Sequence, residues 1–308
     1  MSARRRVVAA LIGVSTMLGA CSAAPNGSTM AERTDDGVVT VGSFGFGESR
    51  LLAELYSQAL EAAGYPVERA FDLGAREFVA PALEVGLVDL VPEYAGTAAQ
   101  FFGFGAAATS PDANVTHEQL VRAIGGRPIT ALAAAPAQTA NTFVVTRGTA
   151  ERYGLRTLSD LSRVAPQLTL GAPPEGPSRP LCLLGLRRVY GLAFEEVVPL
   201  DAGGPVTRQA LRNGDIDVAL LFTSDPAIGE ESLVELADDR GLQPAENVTP
   251  LVRSEILGRY GAGFAAVVDA VSMRLNTTAL RELNGRLARG DGAVAPVAAE
   301  WLATGATR

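Results

Sequence analysis

The sequence predicts an α/β protein of two lobes, and three observations lead to this prediction. Residues 38–73 alternate as strand, helix and strand. The segment 83–94 lines up without a gap on the segment 211–222, as if one structural unit occurred twice. Two β-rich runs, at 141–147 and 247–253, flank the second copy. A chain that crosses to a second lobe and then returns needs two such connecting segments.

The N-terminus is typical of an export signal. Arg4 to Arg6 precede an apolar run over 7–20, which is shorter than the about 20 residues that a membrane-spanning helix needs. The motif Leu18-Gly19-Ala20-Cys21 resembles the bacterial lipobox, so residues 1–20 are predicted to be a lipoprotein signal peptide and Cys21 the lipidated residue. An ordinary cleavable signal with an incidental cysteine is the alternative. Either signal takes the protein out of the cytoplasm.

Composition limits the partners of the mature chain. Residues 21–36 are small and polar without apolar periodicity, which predicts a flexible tether, and about 270 residues remain for one large domain or two. The formal net charge is −8, and removal of the three leader arginines makes the mature chain more acidic still. An acidic surface disfavours nucleic acid and is compatible with a cationic or zwitterionic ligand. If Cys21 is acylated, Cys182 has no disulfide partner.

The opening predicts a β-α-β unit. A short strand over 38–41 runs into a glycine-rich turn over 42–47. A helix follows, with Ser49 as the expected N-cap, and Gly64 with Pro66 ends it before a strand over 67–73. Such a unit implies parallel strands and a right-handed crossover.

The repeated segment, 83–94 and 211–222, places an aromatic residue at the end of a strand in each copy. In both copies a helix ends on a glycine, Gly86 or Gly214, and the following strand ends on a ring, Tyr94 or Phe222. Ligands of open α/β sheets bind beyond the carboxyl ends of the strands. Tyr94 and Phe222 are therefore expected beside a ligand, one from each half. The alternative is that the two segments resemble each other by chance, because helix-glycine-strand connections are common in α/β proteins.

The crossing runs set the predicted division of the chain. Lobe one comprises residues 37–140 and 249–308, and lobe two comprises residues 141–248. The tail carries two helical patterns, over 264–275 and 280–287, and Trp301 as a packing residue.

Catalytic patterns are scarce in this sequence. His117 is its single histidine, and no G-x-S-x-G, H-E-x-x-H or paired-cysteine metal spacing occurs. Glu93 is one carboxylate without a partner for acid-base work. We therefore expect a protein that is not an enzyme, with no cofactor and no metal.

Motifs along nearly the whole mature chain resemble the glycine betaine, choline and carnitine binding proteins of ABC importers. They are Gly42-Ser43, Glu48-Ser49, Leu73-Gly74-Ala75-Arg76-Glu77, Pro81-Ala82-Leu83-Glu84, Pro92-Glu93-Tyr94-Ala95-Gly96-Thr97, Asn141-Thr142-Phe143, Pro174-Glu175, Arg179-Pro180, Tyr190-Gly191-Leu192, Asn213-Gly214-Asp215 and Asn247 to Arg253.

The resemblance implies the type II periplasmic-binding-protein fold, two α/β lobes joined by a two-strand hinge. Together with the lipobox-like motif, this predicts an extracytoplasmic protein that is lipid-anchored to the outer face of the cytoplasmic membrane. Its partners would be a small quaternary-ammonium ligand and an ABC permease with its ATPase, with membrane contact through the lipid anchor only and no nucleic acid. A different small apolar or zwitterionic solute is the alternative ligand, and an exported enzyme the alternative class.

The resemblance also implies the site. A quaternary ammonium cannot donate a conventional hydrogen bond, so the family surrounds it with aromatic faces, each worth roughly 0.5 to 2 kcal/mol. Tyr94, Phe143 and Phe222 match ring positions of this box. Thr97 and Arg179 match positions that hold the polar end of the ligand. Thr97 as a helix N-cap and Arg179 as a surface ion-pair residue are the simpler alternatives.

Departures from the family pattern leave the ligand open among choline, a betaine and a larger apolar solute. Many relatives carry lysine at the position of Phe44, so Phe44 or Phe46 is expected to line the cleft instead. Phe143 and Phe222 stand where tyrosine is frequent, which removes hydroxyl groups. Gly176 occupies the position of a second cysteine that, in similar relatives, pairs with the position of Cys182.

Overall fold

The computed structural model describes residues 37–104, 110–230 and 232–304. The predicted signal peptide, the tether and Cys21 lie outside the described residues. The described chain forms two five-stranded mixed sheets, each covered by helices, which are the two lobes that the sequence predicts.

The first sheet combines the start of the chain with a late strand, in the order β2-β1-β3-β10-β4. Its strands are β1 (Val39–Gly42), β2 (Val67–Ala70), β3 (Leu90–Tyr94), β4 (Ile129–Ala131) and β10 (Val248–Arg253). β1 is parallel to β2 and β3, whereas β10 runs antiparallel to β3 and β4.

The second sheet repeats this topology, in the order β7-β6-β8-β5-β9. Its strands are β5 (Asn141–Thr146), β6 (Thr169–Ala172), β7 (Glu196–Pro199), β8 (Val218–Phe222) and β9 (Leu233–Leu236). β3 and β8, the two strands of the sequence echo, hold the central position of their sheets, each beside an antiparallel strand. The sequence similarity of segments 83–94 and 211–222 therefore reflects equivalent positions in the two sheets.

Ten α-helices connect and cover these strands in the described part of the chain. They are α1 (Gly47–Ala62), α2 (Arg76–Glu84), α3 (Ala95–Phe102), α4 (Ala113–Ala123), α5 (Arg147–Tyr153), α6 (Leu183–Gly185), α7 (Pro205–Asn213), α8 (Ser254–Arg274), α9 (Thr277–Arg289) and α10 (Val294–Ala303). As predicted, left-handed glycines follow the helices of the echo, Gly86 at φ 80° and Gly214 at φ 79°. None of the described helices is long and apolar enough to cross a membrane.

The expected N-cap of α1 is wrong. The helix begins at Gly47, two residues before Ser49, and the Ser49 hydroxyl instead accepts a hydrogen bond from the Phe44 backbone N–H at 2.9 Å. Ser49 therefore fixes the glycine-rich turn, which carries Phe44 and Phe46.

Each lobe has its own apolar core. Tyr56 and Phe264 are fully buried in the first. The second sheet has an apolar cluster on each face, because side chains alternate along β5: Phe143 packs into one cluster and Val144 into the other.

Candidate ligand-binding site

A cavity of about 670 Å³ lies where β3 and β8 end, and residues of both lobes line it. Its size is within the range of small-molecule sites. Tyr94 closes β3 and Phe222 closes β8, so the two strands present one ring each to the same cavity. This is the juxtaposition expected at the carboxyl ends of the strands.

Four aromatic rings meet at the cavity. The Phe46 ring centroid lies 6.1 Å from that of Tyr94 and 5.8 Å from that of Phe222, and so bridges the two lobes. Phe44 stacks on Phe46 with 5.9 Å between centroids and lies 6.4 Å from Tyr94. Phe44 and Phe46 thus both line the cavity. We call Phe44, Phe46, Tyr94 and Phe222 the aromatic cluster.

A glycine makes room for the Phe222 ring. A Cβ atom on Gly203 would lie 2.9 Å from Phe222 Cδ2, closer than real Cβ contacts. Gly203 also has φ of 63°, a conformation that side chains disfavour. The loop after β7 can therefore pass directly beside the ring.

A buried carboxyl group holds Tyr94 in place. The Tyr94 hydroxyl donates to Glu48 Oε1 at 2.9 Å, and Asn284 Nδ2 donates to Glu48 Oε2 at 2.5 Å. Ser224, which follows β8 in the second lobe, donates its hydroxyl to the same Glu48 oxygen. Burial raises the pKa of Glu48 above its ordinary value, and burial together with the Glu48 charge raises the pKa of Tyr94. The network ties the ring to both lobes.

A buried ion pair forms another part of the wall. Arg76 donates from Nε and Nη2 to the two carboxylate oxygens of Glu93, both at 2.8 Å, and from Nη2 to the Thr97 hydroxyl at 2.8 Å. The side chains of Arg76 and Glu93 are only 11% and 3% exposed. The guanidinium carbon also lies 5.3 Å from the Phe44 ring centroid.

Glu246 completes this polar end of the cavity. The side chain is 1% exposed, and its Oε2 accepts from the Gly96 backbone N–H at 2.9 Å and from the Thr97 hydroxyl at 3.4 Å. Its Oε1 has no hydrogen-bond partner among the described residues. Burial raises the pKa of Glu246 to about 8, against a smaller lowering by backbone hydrogen bonds and by Arg76.

The approach of Glu246 to α3 requires a glycine. A Cβ atom on Gly96 would lie 2.2 Å from Pro244 Cγ, so the segment that carries Glu246 packs directly against the first turn of α3. This contact joins two parts of the chain that are far apart in sequence.

Five of the six predicted ligand-binding residues line the cavity: Phe44, Tyr94, Thr97, Arg179 and Phe222. Arg179, from the second lobe, donates from Nη2 to Glu77 Oε2 of the first lobe at 2.8 Å. The ion pair that the simpler alternative foresaw for Arg179 therefore exists, but it lies at the cavity and joins the lobes.

The expected position of Phe143 is wrong. Its side chain is 1% exposed and packs into the apolar cluster of the second lobe, and it does not line the cavity. The physical reason is the alternation of β5. Asn141, two residues earlier on the same face, is opposite Phe222 at the strand end and lines the cavity, so Phe143 lies one step deeper.

Residues that sequence analysis missed include Arg76, Glu246 and Asn141. Arg76 lies in a family motif, but its pairing with Glu93 depends on the fold. Asn141 opens a predicted strand opposite the end of β8, and that cross-strand position is the signal that could have found it.

Cys182 is a buried free thiol with a pKa raised to about 12 by burial. A Cβ atom built on Gly176 would lie 3.3 Å from its sulfur. A side chain at position 176 would therefore lie in direct contact with the sulfur of Cys182. In the described part of the chain, no group of three or more His, Cys, Asp or Glu side chains could hold a metal ion.

Comparisons with known proteins agree with this geometry. The glycine betaine-binding protein YehZ of Escherichia coli is 28% identical over 273 residues, which cover 86% of this chain and 89% of that protein. A glycine-betaine-binding protein of Pseudomonas aeruginosa is 29% identical over 282 residues, covering 85% of this chain and 86% of that one.

A solved structure described as a glycine betaine/carnitine/choline ABC transporter has the same fold. It superposes with a TM-score of 0.68 at 22% identity and covers 86% of this chain and 98% of its own. The model of the substrate-binding domain of ABC-type glycine betaine transport systems matches residues 37–304. With two lobes, a shared aromatic cavity and a family match over nearly all described residues, the chain belongs to this family of substrate-binding domains of ABC importers.

Proposed function

We propose that this substrate-binding protein holds a small quaternary-ammonium solute in the cavity, with the methylated cation against the aromatic cluster, and delivers it to an ABC permease and its ATPase. The observation that carries the proposal is the row of rings that runs from Phe44 through Phe46 to Phe222, with Tyr94 packed against the first two. A methylated cation offers no N–H donor, so several π faces are the means of binding it.

Tyr94 is the central ring of this proposal. Its hydroxyl donates to a carboxyl group, which leaves more electron density on the ring and so strengthens attraction of a cation above it. Thr97 and Arg179 are proposed to hold the polar end of the solute.

Closure of the two lobes over the solute is the proposed working motion. We place the boundary at 140/141 and 248/249, so that residues 37–140 with 249–308 form one lobe and 141–248 the other. The contacts that cross the boundary include Ser224 to Glu48, Arg179 to Glu77, and Arg281 Nη2 to the Thr223 carbonyl at 2.6 Å. A ligand that contacts rings of both lobes stabilises the closed form and so shifts the population toward it.

The Tyr94→Ala variant is expected to bind quaternary-ammonium solutes at least about tenfold more weakly, because a desolvated cation loses one ring face and the fixed position of the others. Isothermal titration calorimetry with glycine betaine, choline, carnitine and proline betaine measures this. Tyr153→Ala is the matched control, since Tyr153 lies outside the cavity lining and contacts Arg152. Its affinities should equal those of the wild type.

Two outcomes would contradict the proposal. If the wild-type protein shows no heat of binding with any of the four solutes, the protein binds another small solute. Chemical conversion of a solute in the same mixtures would favour an exported enzyme.

We further propose that Cys21 carries a lipid that anchors the protein at the outer face of the cytoplasmic membrane. The lipobox-like motif and the extracytoplasmic location of substrate-binding domains of this family support this proposal. The Cys21→Ser variant, expressed as the full chain in a bacterial host, is expected to move from the membrane fraction to the soluble fraction. Cys182→Ser is the control that should stay with the membranes. Equal membrane retention of both variants would refute acylation at Cys21.

A further inference from the structure

Glu246 has a hydrogen-bonding atom that the protein does not use. Its Oε2 is satisfied by Gly96 and Thr97, whereas Oε1 faces no partner among the described residues, although the side chain is 1% exposed and lines the cavity. Buried polar atoms are almost always paired, so the unpaired Oε1 of a residue that lines the cavity requires a partner from outside the described residues.

Most of the other charged groups of the cavity wall are already engaged; Glu175, on the loop after β6, also lines the cavity. Arg76 is bound by Glu93 and Arg179 by Glu77. Asp201 accepts from the backbone N–H groups of Val206 and Thr207 at the start of α7. The charges of Arg76 and Glu93 act on the pKa of Glu246 in opposite directions, Arg76 lowering it and Glu93 raising it. The Oε1 atom of Glu246 is therefore a hydrogen-bonding atom at this end that no described residue uses.

We propose that Glu246 contacts the polar end of the ligand and distinguishes solutes that end in a hydroxyl group from those that end in a carboxylate. The inference rests on the proposed function, since it assumes that the methylated cation occupies the aromatic cluster. An ionised Glu246 accepts a hydrogen bond from a hydroxyl group and repels a carboxylate. A protonated Glu246 can donate from Oε1 to either.

The choice between these states depends on pH. With its pKa near 8, Glu246 carries a proton taken from solvent in neutral and acidic solution and loses it above pH 8. Glu48, whose pKa is also raised, faces Tyr94 at the aromatic cluster. That end receives the cationic group common to both kinds of solute, so the effect of Glu48 cancels in the ratio of their affinities.

The test is calorimetric titration of choline and glycine betaine at pH 6 and pH 9.5, with the full mature protein. For the wild type, the ratio of choline affinity to glycine betaine affinity is expected to rise about tenfold or more between these pH values, because like charges meet in a desolvated site. In Glu246→Gln, which keeps the shape and removes the titration, the ratio should stay constant. Glu68→Gln removes the same charge from the exposed strand β2 and should behave as the wild type.

The outcomes separate this inference from the proposed function. Binding of both solutes with a ratio that is constant with pH in the wild type would refute the role of Glu246 and leave the proposed function intact. The wild-type measurement needs no variant, so it decides even if Glu246→Gln folds poorly. An equal rise in Glu246→Gln would assign the pH effect to another group. Absence of binding by either solute at both pH values would refute the proposed function first.

Discussion

An Arg76→Met variant is expected to unfold roughly 6 to 10 °C below the wild-type protein, because it leaves the Glu93 carboxylate buried without its cation. Arg76 and Glu93 form two parallel hydrogen bonds and are nearly inaccessible to water. Removal of one member of a buried pair costs about 3 to 5 kcal/mol, and a chain of this length loses about 2 °C per kcal/mol.

Two further variants make the comparison specific. The double variant Arg76→Met/Glu93→Gln removes the stranded charge as well and should recover most of the loss, since an ion pair and a neutral pair of similar shape differ little in stability. Arg50→Met breaks an exposed pair with Asp72, of 44% and 39% exposed side chains, and should cost less than about 1 kcal/mol. Scanning calorimetry measures all four melting temperatures. Equal losses in Arg76→Met and Arg50→Met would contradict the expectation.

Stability is expected to fall as pH rises from about 5 to about 8. Burial raises the pKa of Glu246 from its ordinary value of 4.5 to about 8, so over this interval the folded protein holds a proton that the unfolded chain has released. The free energy of unfolding then decreases with pH and levels off above 8, by on the order of 4 kcal/mol for this group. Burial also raises the pKa of Glu48 and Asp225, which adds slope of the same sign.

The melting temperature of the wild type and of Glu246→Gln, recorded from pH 5 to pH 9, tests this dependence. The variant should show a shallower decline and be the more stable of the two at pH 9. Glu61→Gln is the control, because its exposed carboxylate is bound by Arg69 and its pKa is lowered, so it loses its proton below the interval. Parallel curves for the wild type and Glu246→Gln would show that Glu246 does not titrate there.

The parts of the fold that could be predicted are those that short patterns specify. The paired segments 83–94 and 211–222 contain a helix end, a glycine and a buried strand each, and all three are local signals. Because the strands of both segments end on a ring, Tyr94 and Phe222 could be assigned to one cavity from sequence, and the structure brings them there.

The remaining site residues depend on contacts between distant segments. Glu246 meets the first turn of α3 only because Gly96 and Pro244 touch, a contact across nearly 150 residues that no local pattern indicates. Phe143 was misplaced for a different reason. Period-two alternation gives the face of a strand residue correctly but not its distance from the strand end, and Phe143 lies one pair too deep.

The position of β10 has a consequence for how the molecule assembles. β10 lies between β3 and β4 and pairs with both. Neither strand can therefore form its hydrogen bonds to β10 until the chain as far as Arg253 is available for folding. The strands of the second sheet, β5 to β9, are contiguous in sequence and meet no such delay. The first sheet contains the earliest strands of the chain and is nevertheless completed last. Until β10 pairs with it, β3 has an unpaired edge to which a strand of another chain could add.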